Sequence, residues 1–280
     1  MADIKDITIA ICTLNAEKTI RDVLNSCIDN CDSENLIVVD GHSEDETVKI
    51  ASKYTSKIYY DPGKGLAAAR NIALDNCNTS YIFYVGPDNI IPRELTIKLL
   101  QELKDNNWVG ISSTSFFSNP KNYYEKSFNL YKKTKYFPGE KKIIGTPWMY
   151  DVSLLKTLRW NEINSYSDDT ELCERLNEKN KKIGISRLNT IEVGTLNSEE
   201  LKARWNMYGK SDFQFYISNG RQNKKLIKRI RSFFNAIVVD LYTPLFSKQI
   251  SLLGKLYILP FLLKITTVRH TRFLTLILKK

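Results

Sequence analysis

Acidic side chains recur at the points where buried strands are predicted to end. Asp40 directly follows an apolar run, and Asp88 follows Tyr81–Val85 after a Gly-Pro pair. Open α/β sheets bind their ligands at the carboxyl ends of their strands. A carboxylate at that edge can accept hydrogen bonds from a nucleoside or hold a divalent cation that carries phosphates. The alternative is turn chemistry, because Pro-Asp-Asn favours a turn at Asp88 and Asp40 suits an Asx turn.

A glycine-containing segment, Gly63–Asn71, is the second candidate for ligand binding. Its two glycines allow a close backbone approach to a ligand, and the amides at a helix N-terminus favour phosphate. Lys64 lies between the glycines. Arg70 lies about one turn into the predicted helix, where it could reach a diphosphate or fix a carboxylate. The segment is not a P-loop, because no G-K-[ST] follows a four-residue spacer.

Two adjacent carboxylates, Asp168 and Asp169, open a predicted helix at residues 168–178. Acids suit a helix N-terminus electrostatically, so simple capping is one interpretation. The other is a general base, which must be ionised to accept a hydroxyl proton. Thr13 and Asn15 end the first predicted strand in the same way as Asp40 ends the second, although Asn15 could instead cap the next helix.

The elements that must position these residues alternate through the first 90 residues. The alternation predicts right-handed crossovers and a parallel sheet, and Ser43–Glu46 matches a capping box that would open a helix. After Pro92 the order is less regular. Strands are predicted at 7–12, 36–40, 57–60 and 81–85, and helices at 20–31, from 43 and at 65–77.

The positive charge of the chain is concentrated near its C-terminus. The formal net charge is +10, yet residues 221–280 contain 13 Lys/Arg and one acid. Such asymmetry indicates contact with nucleic acid or an anionic membrane. The five Cys form no C-x-x-C pair and there are only two His, which argues against structural zinc and fits a reducing cytosolic setting. We find neither a signal segment nor an apolar run long enough to span a membrane.

The C-terminal stretch has the pattern of a basic amphipathic helix. Leu226, Ile230, Phe233, Ile237 and Leu241 repeat at helical spacing, with basic residues on the other side. Two shorter apolar segments follow at 250–263 and 273–278. The basic residues alternate with aliphatic and Phe side chains rather than with base-stacking platforms, which argues against nucleic acid. We therefore expect an interfacial helix on an anionic membrane, with a dimerising helical hairpin as the alternative.

Taken in order, these segments resemble the family-2 glycosyltransferases, which have the GT-A fold. The resemblance covers about residues 5–210. It implies an α/β, Rossmann-like GT-A fold with a mostly parallel central sheet flanked by helices, to which the basic C-terminal stretch adds a helical membrane-associating appendage. The matching segments are Ile11–Asn15 for the opening P-T-Y-N, Leu36–Thr47 for I-I-V-V-D-D-G-S-T-D-G-T, Gly65–Asn71 for G-x-x-x-A-R-N, Tyr81–Asp88 for the strand into D-x-D, Asp168-Asp169 for E-D, and Arg204-Trp205 for the end of Q-x-x-R-W.

The resemblance also implies a division of the chain and a set of roles. Residues 1–220 would form the glycosyltransferase domain, with a nucleotide-binding half at 1–92 and an acceptor half at 93–220, whereas the helical appendage at 221–280 is predicted from its basic amphipathic composition. Asp169, assisted by Asp168, would be the general base, and Asp88 would hold Mg²⁺ or Mn²⁺. The residues expected to bind a UDP- or GDP-sugar are Thr13, Asn15, Glu17, Asp40, Lys64, Arg70 and Pro87.

The implied reaction is an inverting transfer of one sugar to a lipid-linked acceptor, either a polyprenyl phosphate or a lipid-linked glycan. It would take place at the cytoplasmic face of the membrane, with the enzyme bound peripherally or monotopically and without a nucleic-acid partner. Two alternatives are a membrane-bound nucleotide-sugar binding module with impaired catalysis, and a soluble protein or polysaccharide glycosyltransferase that dimerises through its tail. A sugar nucleotidyltransferase is disfavoured, since Thr13–Glu17 contains no glycine.

Three departures from the family pattern qualify this interpretation. Gly86 replaces the first Asp of D-x-D, so metal binding rests on Asp88 and a neighbour. Leu14 replaces the Tyr that would stack on the base. Leu201 occupies the Gln position of Q-x-x-R-W, which favours single transfer over processive synthesis.

Overall fold

The computed structural model describes residues 3–162, 168–218, 234 and 237–279. The chain divides into two compact units. The first comprises Met1–Ser118 and Pro138–Gly194, and the second comprises Asn119–Phe137 and Thr195–Lys280. The functional division expected at residues 92 and 220 is a different kind of boundary, and it stays a prediction.

A nine-stranded sheet forms the centre of the first unit. The strand order is β3-β2-β1-β4-β8-β6-β9-β5, and β7 pairs with β9. The strands are β1 Ile7–Thr13, β2 Leu36–Asp40, β3 Ile58–Tyr60, β4 Tyr81–Val85, β5 Asn89–Ile90, β6 Gly110–Phe116, β7 Gly139–Lys141, β8 Trp148–Asp151 and β9 Ile183–Glu192.

The helices of both units are numbered in chain order. The first unit contains α1, α2, α3, α4, α6 and α7, and the second contains α5, α8, α9, α10 and a π-helical turn at Val238–Tyr242. The helices are α1 Ile20–Cys27, α2 Thr47–Ala51, α3 Leu66–Asp75, α4 Leu95–Asp105, α5 Tyr123–Lys135, α6 Val152–Leu158, α7 Asp168–Glu178, α8 Ser198–Ser218, α9 Thr243–Phe246 and α10 Leu252–Leu278.

The sheet is mixed rather than mostly parallel. Strands β3, β2, β1 and β4 are parallel to one another, as the sequence alternation predicts. Strand β8 is antiparallel to both β4 and β6, β6 is parallel to β9, and β5 and β7 are antiparallel to β9. The expected "mostly parallel" sheet is therefore wrong for the second half. Only the first four strands are linked by successive crossover helices, which parallel neighbours require.

The core of the first unit follows from the apolar pattern of its early elements. Ile20, Val23, Leu24 and Cys27 repeat at helical spacing, and all four are buried in α1. Strand β2 is buried at every position, as a strand covered on both faces requires. The capping box expected at Ser43 is not formed, because α2 begins at Thr47 and the Ser43 hydroxyl is hydrogen-bonded elsewhere.

The second unit is helical and packs around an aromatic cluster. Trp205 of α8 is 1% exposed, and its ring lies about 6 Å from those of Phe128 and Tyr131 in α5 and Phe261 in α10. Arg269 of α10 forms ion pairs with Asp212 and with the fully buried Asp240. Helix α10 therefore belongs to the core of this unit.

The predicted tail segments have different outcomes. The two apolar segments at 250–263 and 273–278 form one continuous helix, α10, with Pro260 inside it. Most of the basic amphipathic stretch predicted at 221–241 lies outside the described residues. Within the described part of the chain, no helix is both long enough and apolar enough to cross a membrane.

Candidate functional site

Asp40 and Thr13 lie side by side at the carboxyl ends of β2 and β1. Asp40 is fully buried, and its two carboxylate oxygens accept hydrogen bonds from the Ser43 amide at 2.7 Å and the Ser43 hydroxyl at 2.6 Å. Asp40 therefore forms the Asx-type turn. Thr13 Oγ1 is buried and has no hydrogen-bond partner in the part of the chain that is described. Because buried hydroxyls are normally hydrogen-bonded, this orphaned group is a candidate ligand contact.

Asn15 and Glu17 connect the loops that follow β1 and β2. Asn15 Oδ1 accepts a hydrogen bond from the Glu44 amide at 2.9 Å, and Glu17 Oε2 accepts one from the Glu46 amide at 3.2 Å. Asn15 has a left-handed backbone with φ of 50°, and the N-cap of α1 is Thr19 rather than Asn15. Both side chains thus order the loops beside Asp40, and their nucleotide contacts stay a prediction.

The loop before α3 is organised by Asp61, which the sequence patterns did not single out. Its carboxylate accepts hydrogen bonds from the Lys64 amide at 3.0 Å and the Gly65 amide at 2.9 Å. Gly63 and Gly65 have φ of 78° and 88°, which glycine adopts without steric cost. The two amides expected to cradle phosphate therefore serve Asp61. The Lys64 side chain is exposed, with Nζ 3.9 Å from a carboxylate oxygen of Glu162.

Arg70 is buried beside two indole rings that stack on each other, with their centroids 5.1 Å apart. Its Cζ lies 4.9 Å from the ring centroid of Trp148 and 4.8 Å from that of Trp160, within cation–π range. One guanidinium nitrogen pairs with Asp168, and the other donates to Thr146 Oγ1 at 3.0 Å. Burial alone would lower the pKa of Arg70, but the Asp168 carboxylate raises it above its ordinary value. Of the two expected roles, Arg70 fixes a carboxylate.

The adjacent acids at the start of α7 differ sharply in their surroundings. Asp168 is 4% exposed, pairs with Arg70 and accepts a hydrogen bond from the Asp169 amide at 2.9 Å. Asp169 is half-buried, and its Oδ1 accepts a hydrogen bond from the Thr170 amide at 2.7 Å. A Cβ placed on Gly145 would lie 3.9 Å from Asp169 Oδ2, so that oxygen faces a residue without a side chain.

The Asp169 carboxyl also has an unusual proton affinity. Burial and the neighbouring Asp168 charge raise its pKa from 3.8 to about 6, while the Arg70 charge opposes the shift. A carboxylate with this pKa is largely ionised at neutral pH and is a competent proton acceptor. The structure therefore separates the two acids, with Asp168 as the anchored neighbour and Asp169 as the candidate base.

Gly86, the departure from D-x-D, leaves room for the side chains that follow it. A Cβ at Gly86 would lie 2.6 Å from Asp88 Oδ1 and 3.0 Å from Asn89 Oδ1. The turn is held by hydrogen bonds from the Asn89 amide to the Gly86 carbonyl at 3.1 Å and from the Val193 amide to the Asp88 carbonyl at 2.8 Å. Two oxygen-bearing side chains thus approach the same glycine, and Asn89 is one that sequence reasoning missed.

These oxygens bear on the expected metal. No group of three or more His, Cys, Asp or Glu suited to a metal ion occurs among the described residues. Asp88 and Asn89 offer a carboxylate and an amide oxygen, which are hard ligands of the kind Mg²⁺ prefers. Mg²⁺ is commonly held by one or two carboxylates while substrate phosphates and water complete its shell. The residues present therefore fit a cation that binds together with a diphosphate.

The candidate residues form groups within the first unit. Thr13, Asn15, Glu17 and Asp40 meet through the loops after β1 and β2. Arg70, Asp168 and Asp169 meet through the buried ion pair. Pro87 and Asp88 follow β4, which pairs with β1 on the side opposite β2. Thr13, Asp40 and Asp88 therefore follow three neighbouring strands at one edge of the sheet.

Residues 8–159 match the family described as glycosyl transferase family 2. A search among curated proteins found no match. The fold is similar to several solved structures, each at 16% identity. One is the mannosyltransferase PcManGT from Pyrobaculum calidifontis in complex with GDP-Man and Mn²⁺, with a TM-score of 0.59 over 93% of this chain and 73% of that one. Another is S. aureus TarS 1-349 in complex with UDP-GlcNAc, with a TM-score of 0.53 over 95% of this chain and 89% of that one. A third is glucosyl-3-phosphoglycerate synthase from Mycobacterium tuberculosis in complex with Mg²⁺ and UDP, with a TM-score of 0.54 over 76% of this chain and 78% of that one.

The structural similarities bear on the fold. They confirm an α/β fold of the GT-A type, with a mixed sheet and flanking helices.

Proposed function

The chain belongs to glycosyl transferase family 2, and we propose that it moves one sugar from a nucleoside-diphosphate sugar to a hydroxyl group of a lipid-linked glycan. The observation that carries this proposal is the Asp169 carboxylate. It lies at the start of α7 beside the Arg70–Asp168 pair, one of its oxygens faces Gly145, and its pKa is raised to about 6. These are the properties of a general base that works near neutral pH.

In the proposed reaction, Asp169 accepts the proton of the acceptor hydroxyl as that oxygen attacks the anomeric carbon. The new C–O bond forms on one face of the sugar while the bond to the diphosphate breaks on the opposite face. The nucleoside diphosphate leaves with the bonding electrons, so the anomeric configuration inverts. Arg70 and Asp168 do not exchange protons with substrate, and they hold the start of α7 so that Asp169 keeps its position.

The donor is expected at the edge formed by Thr13, Asp40 and Asp88. The orphaned Thr13 hydroxyl, beside the turn that Asp40 forms, suits a nucleoside, whereas Asp88 and Asn89 suit the diphosphate end through Mg²⁺ or Mn²⁺. When bound, the cation would neutralise charge on the leaving diphosphate. PcManGT was solved with GDP-Man and Mn²⁺, and TarS with UDP-GlcNAc. We therefore consider both UDP- and GDP-sugars as donors.

The presence of a base favours one of the two lipid-linked acceptors. A polyprenyl phosphate is already ionised at neutral pH, because phosphate monoesters have a second pKa near 6. A sugar hydroxyl must lose its proton during attack and needs a base such as Asp169. We therefore favour a lipid-linked glycan. The basic C-terminal region supports a peripheral position on an anionic membrane, which we place at the cytoplasmic face.

The test is release of nucleoside diphosphate from a panel of UDP- and GDP-sugars by the full-length protein, with and without Mn²⁺. Acceptor-stimulated release should require lipid-linked glycan. We expect Asp169→Asn to reduce turnover at least about a hundredfold while nucleotide binding is retained. Asp88→Ala should abolish the Mn²⁺ dependence of binding.

The matched control is Asp75→Asn, which removes an exposed carboxylate from the same unit and should leave turnover unchanged. Turnover that survives Asp169→Asn would overturn the base assignment. Metal-independent nucleotide binding that is insensitive to Asp88→Ala would overturn the donor site. Tight binding of nucleotide sugars without transfer to any acceptor would instead favour a binding module with impaired catalysis. The feature that favours this alternative is Gly86, which stands beside Asp88 where the family has a second carboxylate.

A further inference from the structure

The first half of α10 is apolar on both of its faces. Ile258, Phe261, Leu262 and Ile265 are fully buried in the second unit. On the other side lies a set of exposed side chains that we call the α10 outer face. It consists of Leu252 (73% exposed), Leu253 (78%), Leu256 (59%), Tyr257 (42%) and Leu263 (49%).

The spacing makes this face continuous. Leu252 and Leu256 are four residues apart and Leu263 follows seven residues later, so the three lie on one side of the helix. Leu253 and Tyr257 are also four residues apart and border that line. A helix that is apolar all round is normally covered on all sides. Contiguous exposed apolar surface of this kind marks a site of protein or membrane contact.

The charge around the face distinguishes between these two kinds of contact. Residues 241–280 contain no Asp or Glu, and of their basic residues Arg269 is paired with Asp212 and Asp240 in the core of the unit. Lys248 precedes α10 and is exposed, and Lys255 lies directly beside Leu256. A symmetric pair of such faces would bring the same cations together, because each copy contributes the same patch. An anionic lipid surface instead complements both the leucines and the lysines.

We propose that the α10 outer face is the surface by which this protein binds an anionic lipid bilayer. This inference rests on the proposed function, in which the acceptor is linked to a lipid. It adds to that function by assigning the membrane contact to named residues. It places the membrane contact at Leu252–Leu263, C-terminal to the basic stretch 221–241 that the sequence pattern favours. The leucines would enter the interfacial region while Lys248 and Lys255 meet lipid headgroups.

The test is flotation of the full-length protein with vesicles of phosphatidylcholine alone or mixed with phosphatidylglycerol. We expect flotation with the anionic vesicles and a decrease at high salt, because screening weakens the lysine contribution. Leu252→Ser/Leu256→Ser should reduce the bound fraction by about tenfold or more, since two large apolar groups no longer leave water. Lys248→Gln/Lys255→Gln should weaken binding only to the anionic vesicles.

The matched control is Ile28→Ser, which makes the same kind of change at a 65% exposed position in the first unit and should float like the unmodified protein. Absence of flotation, or equal flotation of the leucine variant, would overturn the proposal. So would a dimer in solution that the leucine variant dissociates, because the face would then bind a second copy. Flotation needs no substrate and the release of nucleoside diphosphate needs no vesicle, so this proposal and the proposed function can fail separately.

Discussion

Asp168 and Asp169 are adjacent in sequence, and their functional difference comes from what surrounds each carboxyl group. Asp168 faces the Arg70 guanidinium, so its charge is compensated. Asp169 faces its own neighbour's charge and a partly dehydrated environment, which raises its pKa to about 6. The protein therefore maintains an ionisable group at a cost to stability, as functional sites commonly do.

This cost can be measured through the pH dependence of stability. The folded-state pKa of Asp169 is about 6 and its ordinary value is 3.8, so folding favours the protonated carboxyl. The contribution is fully favourable below pH 3.8 and is lost as pH rises through about 6. We expect Asp169→Asn to raise the free energy of unfolding well above pH 6 by at most about 3 kcal/mol. Urea unfolding below pH 3.8 should show no such gain, and an equal gain at both pH values would contradict the assignment.

The Arg70–Asp168 pair should matter far more to folding than an exposed pair of the same composition. Both side chains are under a tenth exposed, and removal of one partner from a buried pair leaves an uncompensated charge. We expect Asp168→Asn to lower the free energy of unfolding by about 3–5 kcal/mol. Arg159–Asp75 is the control pair, with side chains 45% and 51% exposed. Asp75→Asn should cost at most about 1 kcal/mol, and equal losses in urea unfolding would contradict this comparison.

Gly86 provides a test of the metal site that does not remove a ligand. An added Cβ would lie 2.6 Å from Asp88 Oδ1, so Gly86→Ala must displace that carboxylate or the turn. We expect the affinity for Mn²⁺ with a nucleoside diphosphate to fall about tenfold or more, as measured by calorimetry. Gly145→Ala is the control, because its Cβ would meet ordinary contact distances. An unchanged affinity in Gly86→Ala would argue against Asp88 as the ligand.

The acidic residues near strand ends could be predicted from sequence, because each acid lies close in the chain to the apolar run that forms its strand. Asp40 is the last residue of β2, and Asp88 lies three residues after the end of β4. The contact of Arg70 with two stacked indoles could not be predicted, since Trp148 and Trp160 lie far from it in sequence. The role of Asp61 had a local signal, an Asp followed by Pro and Gly, whose Asx bonding uses the amides expected to bind phosphate.

At the scale of elements, periodicity identified helices and strands but did not fix every boundary. Strand β2 begins and ends where predicted. The capping-box pattern at Ser43 failed because the Asp40 carboxylate competes for the same hydroxyl and amide. Helix α10 joins two apolar segments that were predicted separately at 250–263 and 273–278, and it continues through Pro260 in the first of them. A tertiary contact accounts for that continuity.

The hydroxyl of Tyr123 bridges the backbone groups beside Pro260. It donates to the Tyr257 carbonyl at 3.2 Å and accepts from the Phe261 amide at 3.1 Å. We expect Tyr123→Phe to lower the free energy of unfolding by about 1–3 kcal/mol, because it removes a partner from both groups. Tyr242→Phe is the control at an exposed tyrosine of the same unit and should change stability by less than about 0.5 kcal/mol. A similar loss in both variants in urea would show that the bridge is unimportant.

At the scale of the whole molecule, regular alternation predicted the first four parallel strands but not the mixed remainder. Strand β8 inserts between β4 and β6, which are far from it in sequence. Such long-range pairings leave no local signature in the chain. The second unit is likewise assembled from the separated segments Asn119–Phe137 and Thr195–Lys280. The boundary predicted at residue 220 marks a change in charge along the chain. The two compact units are defined instead by which residues pack together.

The packing of α10 makes a prediction about that boundary. Phe261 is fully buried, with its ring 6.0 Å from those of Trp205 and Tyr131. Deletion of residues 237–280 would expose these aromatic side chains and remove Arg269 from Asp212. Each large buried apolar side chain contributes about 1.5–3 kcal/mol. We therefore expect the truncated chain to have a lower melting temperature and to aggregate.

The control deletion removes only residues 279–280, beyond the end of α10, and should melt like the full chain. Calorimetry of the three proteins measures the difference. If the basic C-terminal region were an appendage to an independent domain, the long truncation would also melt like the full chain. A large loss of stability would mean that the helix presenting the exposed leucines is held by the core of its unit. A membrane-binding surface on such a helix would already be folded and held in place before the protein binds lipid.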